Sequence, residues 1–237
     1  MLPYLDTDTP FPPVNHALHE PNGLLAAGGS LSVVRLLEAY ATGIFPWFSE
    51  GEPILWWSPN PRTVFLLNKY KPSKSLCRFV RRAELTVTLN SNFEQVVQRC
   101  SEPRKDQPST WISEEIKQAY LNLHRIGKAH SVEVWQNDTL VGGIYGVSIG
   151  KMFCGESMFS GITNGSKIAL SCLAGYLGEQ RFPIIDCQVE NPHLTRLGAV
   201  SIDRETYLRI VETSISQQVD DDFWHRRNLD PTLLITR

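Results

Sequence analysis

The densest chemistry in the sequence lies in Asp186-Cys187-Gln188-Val189-Glu190-Asn191. Read as the end of a strand over 183–189, positions two apart share a face. Asp186 and Gln188 are then expected to project together, with Cys187 and Val189 on the opposite side. A carboxylate beside an amide, at the exit of a strand that leads into a helix, suits the orientation of a substrate amine. Open sheets also tend to place ligands at strand carboxyl ends. The plainer alternative is that Asp186 caps a helix or pairs with a nearby cation, and the segment alone favours that alternative.

A second candidate is Phe153-Cys154-Gly155-Glu156-Ser157-Met158-Phe159-Ser160. Glycine inside a strand often marks a bulge or a close approach by a ligand. Glu156 in such a run is costly to bury alone, so it calls for a cation or an exposed position. An exposed residue on an edge strand is the competing reading. A third feature is the run Lys69 to Arg82, which carries Lys69, Lys71, Lys74, Arg78, Arg81 and Arg82 and no acid. With Ser73 starting a helix, Lys74, Arg78, Arg81 and Arg82 fall on or near one face, a stripe able to track nucleic-acid phosphates. A solvated helix face is the ordinary alternative.

These residues need elements to hold them. Leu31–Tyr40 reads as a helix capped by Ser30 or Ser32, and Pro53–Pro59 as an apolar strand stopped by prolines. Ser91 and Glu94 fit a capping box before a helix reaching Cys100. Ser113 opens a helix running to Ile126, with Gly127 as its stop. Ser131–Trp135, Leu140–Ser148 and Met152–Phe159 read as an antiparallel meander turning at Gln136-Asn137-Asp138 and Gly150. A helix over Ser166–Glu179, a helix starting at Asn191-Pro192 and a last one from Glu205 to Ser214 complete the pattern. The expected class is α+β: a small N-terminal domain over residues 1–62, then a mixed-sheet domain over 63–237.

Composition narrows the function. Of 237 residues 42% are apolar and 20% charged, enough for a substantial core, and the formal net charge of -2 gives no global attraction to nucleic acid. The five cysteines are scattered and form no CxxC pair, and the histidines show no metal-ligand spacing. Gly161 to Lys167 is not a phosphate loop, and GxGxxG, GxSxG and HExxH are absent, so neither a metal nor a nucleotide cofactor is expected. No stretch approaches the roughly 20 apolar residues of a membrane helix, and the N-terminus lacks a signal pattern. A cytoplasmic, non-membrane enzyme is expected.

Several segments taken together resemble the bacterial leucyl/phenylalanyl-tRNA–protein transferases. They are Glu20–Leu25 (EPNGLL), Gly43–Phe48 (GIFPWF), Pro53–Pro59 (PILWWSP), Thr110–Ile112, His130–Trp135, Val141–Gly146, Phe153–Ser160 and Ile185–Val189. They run in order from residue 20 to about 200, and their joint occurrence is far more specific than any one of them. The resemblance implies that the larger domain has the acetyltransferase-like (GNAT) fold. It also implies transfer of Leu or Phe from leucyl-tRNA or phenylalanyl-tRNA to a protein or peptide beginning with Arg or Lys, marking the product for degradation. Gln188 would contact the attacking amine, with Asp186 polarising it. An apolar pocket of Ile144, Gly155, Met158, Leu173 and Ile185 would take the aminoacyl side chain. Ile144 and Leu173 stand where the resemblance leads one to expect methionine and phenylalanine, which bears on the choice between Leu and Phe. Glu156 would help select a cationic acceptor, and Asn191 would fix its backbone. Trp47 and Trp111 would line the site, two core tryptophans being the equal alternative. Lys74, Arg78, Arg81 and Arg82 would hold the acceptor stem.

The aminoacyl ester is already activated, and an α-amine with a pKa of about 7.7–8.0 is partly neutral near pH 7. The enzyme's task is then largely positioning. A CoA-dependent acetyltransferase would share the fold but needs a glycine-rich pyrophosphate turn, which Phe159–Gly165 does not supply. A tRNA- or peptide-binding module would explain the basic stripe but not the grouping of Asp186, Gln188 and Glu156.

Overall fold

In a computed structural model the chain is described over residues 1–103 and 110–235; positions 104–109, 236 and 237 of the expected larger domain lie outside that description. The first sixty residues form a four-stranded sheet from β1 (Tyr4–Leu5), β2 (Leu24–Gly28), β3 (Phe45–Pro46) and β4 (Leu55–Trp57), in the order β1-β2-β4-β3. Trp56 is fully buried and its indole N–H donates to the Gly28 carbonyl at 2.8 Å, so the large ring packs without losing a hydrogen bond. Helix α1 (Val33–Ala41) follows β2, and the Ser32 side chain caps it by accepting from the Arg35 N–H.

The second sheet begins with β5 (Arg62–Leu66) and adds β6 (Thr86–Leu89), β7 (Ala129–Gln136), β8 (Thr139–Ile149), β9 (Met152–Ser160), β10 (Ile184–Asp186), β11 (Val200–Ile202) and β12 (Arg227–Leu229). Its order is β11-β5-β10-β9-β8-β7-β6-β12. The expected meander is present as β7-β8-β9. Asn137 adopts a left-handed φ of 54° in the first turn and Gly150 one of 56° in the second. Neighbouring strands pair antiparallel except β9 and β10, which run parallel. A parallel pair needs a crossover, and α5 (Gly165–Glu179) provides it. Gly142 lets this helix start close against β8, since a Cβ there would sit 2.6 Å from the Gly165 carbonyl carbon.

The remaining helices are α2 (Lys74–Val80), α3 (Phe93–Ser101), α4 (Glu114–Arg125), α6 (Pro192–Arg196), α7 (Arg204–Ile215) and α8 (Pro231–Ile235). Helix α4 is capped by Ser113 and stops before Gly127, whose φ is +69°, as its sequence predicts. The cap of α3 is Asn92, whose side chain accepts from the Gln95 N–H, and not Ser91. The Ser91 N–H donates instead to the buried carboxylate of Glu133 at 3.1 Å.

One core cluster joins the first sheet to the second. Leu25, Phe45 and Trp56 pack in the same buried group as Val96, Ile116, Tyr145 and Cys154. A second cluster holds α5, almost all of whose faces are buried, against the opposite face of the large sheet. No helix among the described residues is long and apolar enough to cross a membrane.

Candidate active site

The parallel register of β9 and β10 ends at Cys154 opposite Asp186, yet β9 continues to Ser160. Beyond that point Gly155 to Met158 have lost their neighbour on one side. A notch opens there at the carboxyl end of β10, where a mixed sheet can admit a ligand.

Asp186 is the last residue of β10 and is fully buried. Its Oδ1 and Oδ2 accept from Arg62 Nε at 2.8 Å and Nη2 at 2.7 Å, a two-pronged pair. Oδ2 also accepts from the Tyr207 hydroxyl at 3.0 Å, and Oδ1 from the Gln188 backbone N–H at 3.0 Å. Removing such a carboxylate from water is costly, and a fork of donors with further hydrogen bonds is what makes it tolerable. Arg62, itself buried, also donates from Nη1 to the Gly43 carbonyl at 3.1 Å. Its guanidinium lies 4.5 Å from the Tyr207 ring centre and 4.8 Å from that of Phe45.

This corrects the expected side-by-side projection of Asp186 and Gln188. The strand stops at Asp186, three residues short of Val189, because the chain turns at Gln188, where φ is +58°. The Val189 N–H donates back to the Cys187 carbonyl at 2.7 Å, closing a three-residue turn about Gln188. The two side chains therefore diverge. Asp186 goes into the protein toward its cation, and the Gln188 amide donates from Nε2 to Glu156 Oε1 at 3.4 Å.

Glu156 owes its aim to a bulge. Tyr145 pairs with Ser157 and Gly146 with Gly155, so Glu156 is the extra residue between them. Gly146 makes room for it, because a Cβ there would sit 2.1 Å from the Cys154 carbonyl oxygen. The strand lies between β8 and β10 in the sheet, and Glu156, past the end of the β10 pairing, is half-buried rather than the exposed residue of the alternative reading. Glu156 Oε2 accepts from the Tyr120 hydroxyl at 2.6 Å, and Tyr40 lies a further 2.6 Å along, oxygen to oxygen. Burial pushes the carboxyl up to about 7 although the two hydroxyls pull it down. No lysine or arginine among the described residues forms an ion pair with it.

Glu156 and Gln188 stand where two hollows meet. One, of about 290 Å³, is walled by Phe65, Ile144, Gly155, Met158, Leu170 and Ile185. The other, of about 310 Å³, is walled by Phe45, Pro46, Trp47, Trp111 and Val189. Cys187, Asn191 and Leu194 border both. Four of the five residues expected in an apolar pocket are thus together. Leu173 is a correction: it is buried on α5 within the core, and Leu170, one turn earlier, reaches the hollow instead. Trp47 and Trp111 both border the second hollow; Trp47 is 45% exposed, whereas Trp111 is half-buried and also packs against the core. Asn191 caps α6 by accepting from the His193 N–H at 2.7 Å. A roomier hollow near His130 and Trp224, of about 520 Å³, contains none of these residues.

The basic segment is elsewhere on the surface. Ser73 caps α2 as expected, and Lys74 and Arg78 are on the helix, whereas Arg81 is its C-terminal cap and Arg82 lies past it. All four are exposed, while Leu76 and Val80 are buried in the core. Among the described residues no group of His, Cys, Asp and Glu could hold a metal ion.

Sequence reasoning missed Arg62, Tyr207, Tyr120 and Tyr40. A cation opening the apolar run Arg62–Leu66 is a usable sign of a buried pair. Tyr120 lies on the apolar face of α4 with Ile116 and Leu123. A buried tyrosine requires a partner for its hydroxyl.

Two hollows facing one another across a carboxylate and an amide can bring two substrates together, the arrangement of a group-transfer enzyme. Comparison with known proteins gives the family. The model of the leucyl/phenylalanyl-tRNA protein transferase matches residues 64–212, and that of its N-terminal domain matches residues 29–60. A leucyl/phenylalanyl-tRNA--protein transferase of Xanthomonas campestris is 53% identical over 95% of this chain and 92% of its own. The protein of the same name from Idiomarina loihiensis is 51% identical over 92% of this chain and 93% of its own. The chain belongs to this family and is an aminoacyltransferase. Among solved structures, a functionally unknown conserved protein from Staphylococcus epidermidis is similar at a TM-score of 0.41 and 13% identity, covering 76% of this chain and 68% of its own. That likeness is too slight to support any argument.

Proposed function

We propose that this enzyme transfers leucine or phenylalanine from its aminoacyl-tRNA to the α-amine of a protein that begins with arginine or lysine, marking the product for degradation. The observation that carries the reading is Glu156, a carboxylate without a cation of its own, facing Gln188 where two hollows converge. A cationic acceptor side chain supplies the charge that the protein withholds.

The aminoacyl side chain enters the apolar hollow of Ile144, Met158 and Ile185, and the acceptor approaches past Trp47, Trp111 and Asn191. Gln188 contacts the amine. As that amine attacks the ester carbonyl, a C–N bond forms, the ester C–O bond breaks, and the terminal ribose hydroxyl of the tRNA departs with a proton that the amine has lost. Holding amine and carbonyl in register supplies most of the acceleration, and no cofactor is required. Lys74, Arg78, Arg81 and Arg82 hold the acceptor stem by its phosphates. We divide the chain near residue 62 and assign the larger part the acetyltransferase-like fold. In support, β5 opens the large sheet at Arg62, and β9 and β10 part at the site. We place the reaction in the cytoplasm, where charged tRNA is found.

The test offers radiolabelled leucyl-tRNA, phenylalanyl-tRNA or acetyl-CoA to the purified protein with an arginine-first peptide. Label should reach the peptide from the aminoacyl-tRNAs alone. Gln188→Ala should lose transfer while still binding tRNA. Acetylation of the peptide without aminoacyl transfer would overturn the reading.

A further inference from the structure

Gln188 holds a backbone conformation that a residue with a side chain adopts at a cost, and its surroundings show what sustains it. The turn it centres, closed by the Val189 N–H on the Cys187 carbonyl, has the positive φ of the rare, strained three-residue type. Strain of that kind persists only where neighbouring structure over-determines it. Three hydrogen bonds do so here. The Gln188 N–H donates to Asp186 Oδ1 at 3.0 Å, the Thr63 N–H donates to the Gln188 carbonyl at 3.2 Å, and the Cys187 N–H donates to the Thr63 carbonyl at 2.9 Å.

The first of these depends on Asp186 staying in place, and Asp186 is held by Arg62 and Tyr207. Arg62 and Thr63 are adjacent on β5, so one strand grips both sides of the turn. Arg62 reaches further: its Nη1 bond to Gly43 fixes the chain two residues before Phe45, at the wall of the second hollow. Gly43 is suited to that junction, with φ at +77° and the Tyr207 ring so near that a Cβ would lie 3.0 Å from it.

We infer that Arg62 and Tyr207 are positioning residues for the transfer reaction, acting through Asp186 on the strained turn at Gln188. This rests on the function proposed above. Neither side chain is exposed to the hollows, and neither touches substrate. Arg62 fixes where the Gln188 amide points and, through Gly43, where the facing wall stands. Tyr207 shares the Asp186 oxygen taken by Arg62 Nη2 and limits how that carboxylate can rotate. A misplacement of the amide by about 1 Å is enough to cost roughly 100-fold in rate.

The test uses Tyr207→Phe, which removes one hydroxyl from an otherwise intact packing, and Arg62→Lys, which keeps the charge but loses the fork. The expected result is a fall in kcat of about 10-fold for Tyr207→Phe and about 100-fold for Arg62→Lys. KM for the charged tRNA and for the peptide should stay within about twofold of wild type. Hydrogen exchange of the Gln188 amide, read by NMR, should quicken in Tyr207→Phe while amides of β7 and β8 keep their protection. A Tyr207→Phe protein with undiminished kcat, or with unchanged Gln188 exchange, would overturn the inference. Absence of transfer by the wild type overturns the reaction instead, and the exchange experiment then still decides whether Tyr207 holds the turn.

Discussion

The two acidic residues of the site, Asp186 and Glu156, lie on neighbouring strands and receive opposite treatment. Asp186 is fully buried and satisfied by a guanidinium, a phenol and a backbone amide. Glu156 faces the hollows with two phenols and an amide beside it and no ion-paired cation among the described residues. A carboxylate matched by a built-in cation is a structural fixture, whereas one left without a cation is ready to respond to a ligand's charge. The difference separates holding the machinery still from recognising the acceptor.

The largest effect expected from breaking this contrast is on stability. Arg62→Ala strands the Asp186 charge in the interior and should cost about 3–5 kcal/mol in urea unfolding. Glu156→Gln strands no charge and should change stability by less than about 1 kcal/mol. Equal losses in both variants would show that the two carboxylates are held alike.

In acceptor binding the order reverses. Glu156→Gln should raise KM for an arginine-first peptide by about 10- to 100-fold, the worth of a hydrogen bond to a charged group of about 1.5–3 kcal/mol. KM for the charged tRNA should be little affected. A rise in the tRNA KM with the peptide KM unmoved would transfer Glu156 to the donor's side.

A third difference concerns pH. The Glu156 carboxyl in the free enzyme sits at about 7, so its charged fraction falls as pH falls through that value. The peptide KM ratio of Glu156→Gln to wild type should therefore shrink about fivefold from pH 7 to pH 6, a comparison that cancels the titration of the acceptor's own amine. A ratio independent of pH over this range would mean that the charge on Glu156 is not what the acceptor reads.

The smallest effect is a shift of that midpoint. Burial raises the Glu156 carboxyl and the Tyr120 hydroxyl opposes it, so Tyr120→Phe should move the midpoint upward, by up to about one unit. A downward shift in the same kinetic titration would contradict the assigned balance of causes.

Much of the frame of this site was legible in the residues. The β7-β8-β9 meander, the stop of α4 at Gly127 and the start of α6 at Asn191-Pro192 follow from local turn and cap chemistry, and each is present. Gly155 in an apolar strand signalled either a bulge or a close approach by a ligand, and a bulge is there, with Glu156 at its apex. Less legible was the partner of each side chain. Ser91 and Asn92 are both good caps by type; Asn92 takes the role, while the Ser91 N–H binds Glu133, some 40 residues away. Leu170 and Leu173 share one apolar helix, and only its packing against the sheet decides which of them borders the hollow.

By itself the sequence determined most of the helices, the central meander and the ordered set of segments that marks the family, because caps, turns and hydrophobic period act over a few residues; β5, β6, β11 and β12 carried no such local mark. Only the tertiary structure decided that Asp186 meets Arg62 across 124 positions and that Tyr40 and Tyr120 line up behind Glu156. Those meetings depend on strand order and on a helix crossing, which set neighbours in space without leaving a local mark on either residue. Asp186 and Gln188 illustrate the limit: a period of two places them on one face only while the strand lasts, and here the strand ends between them.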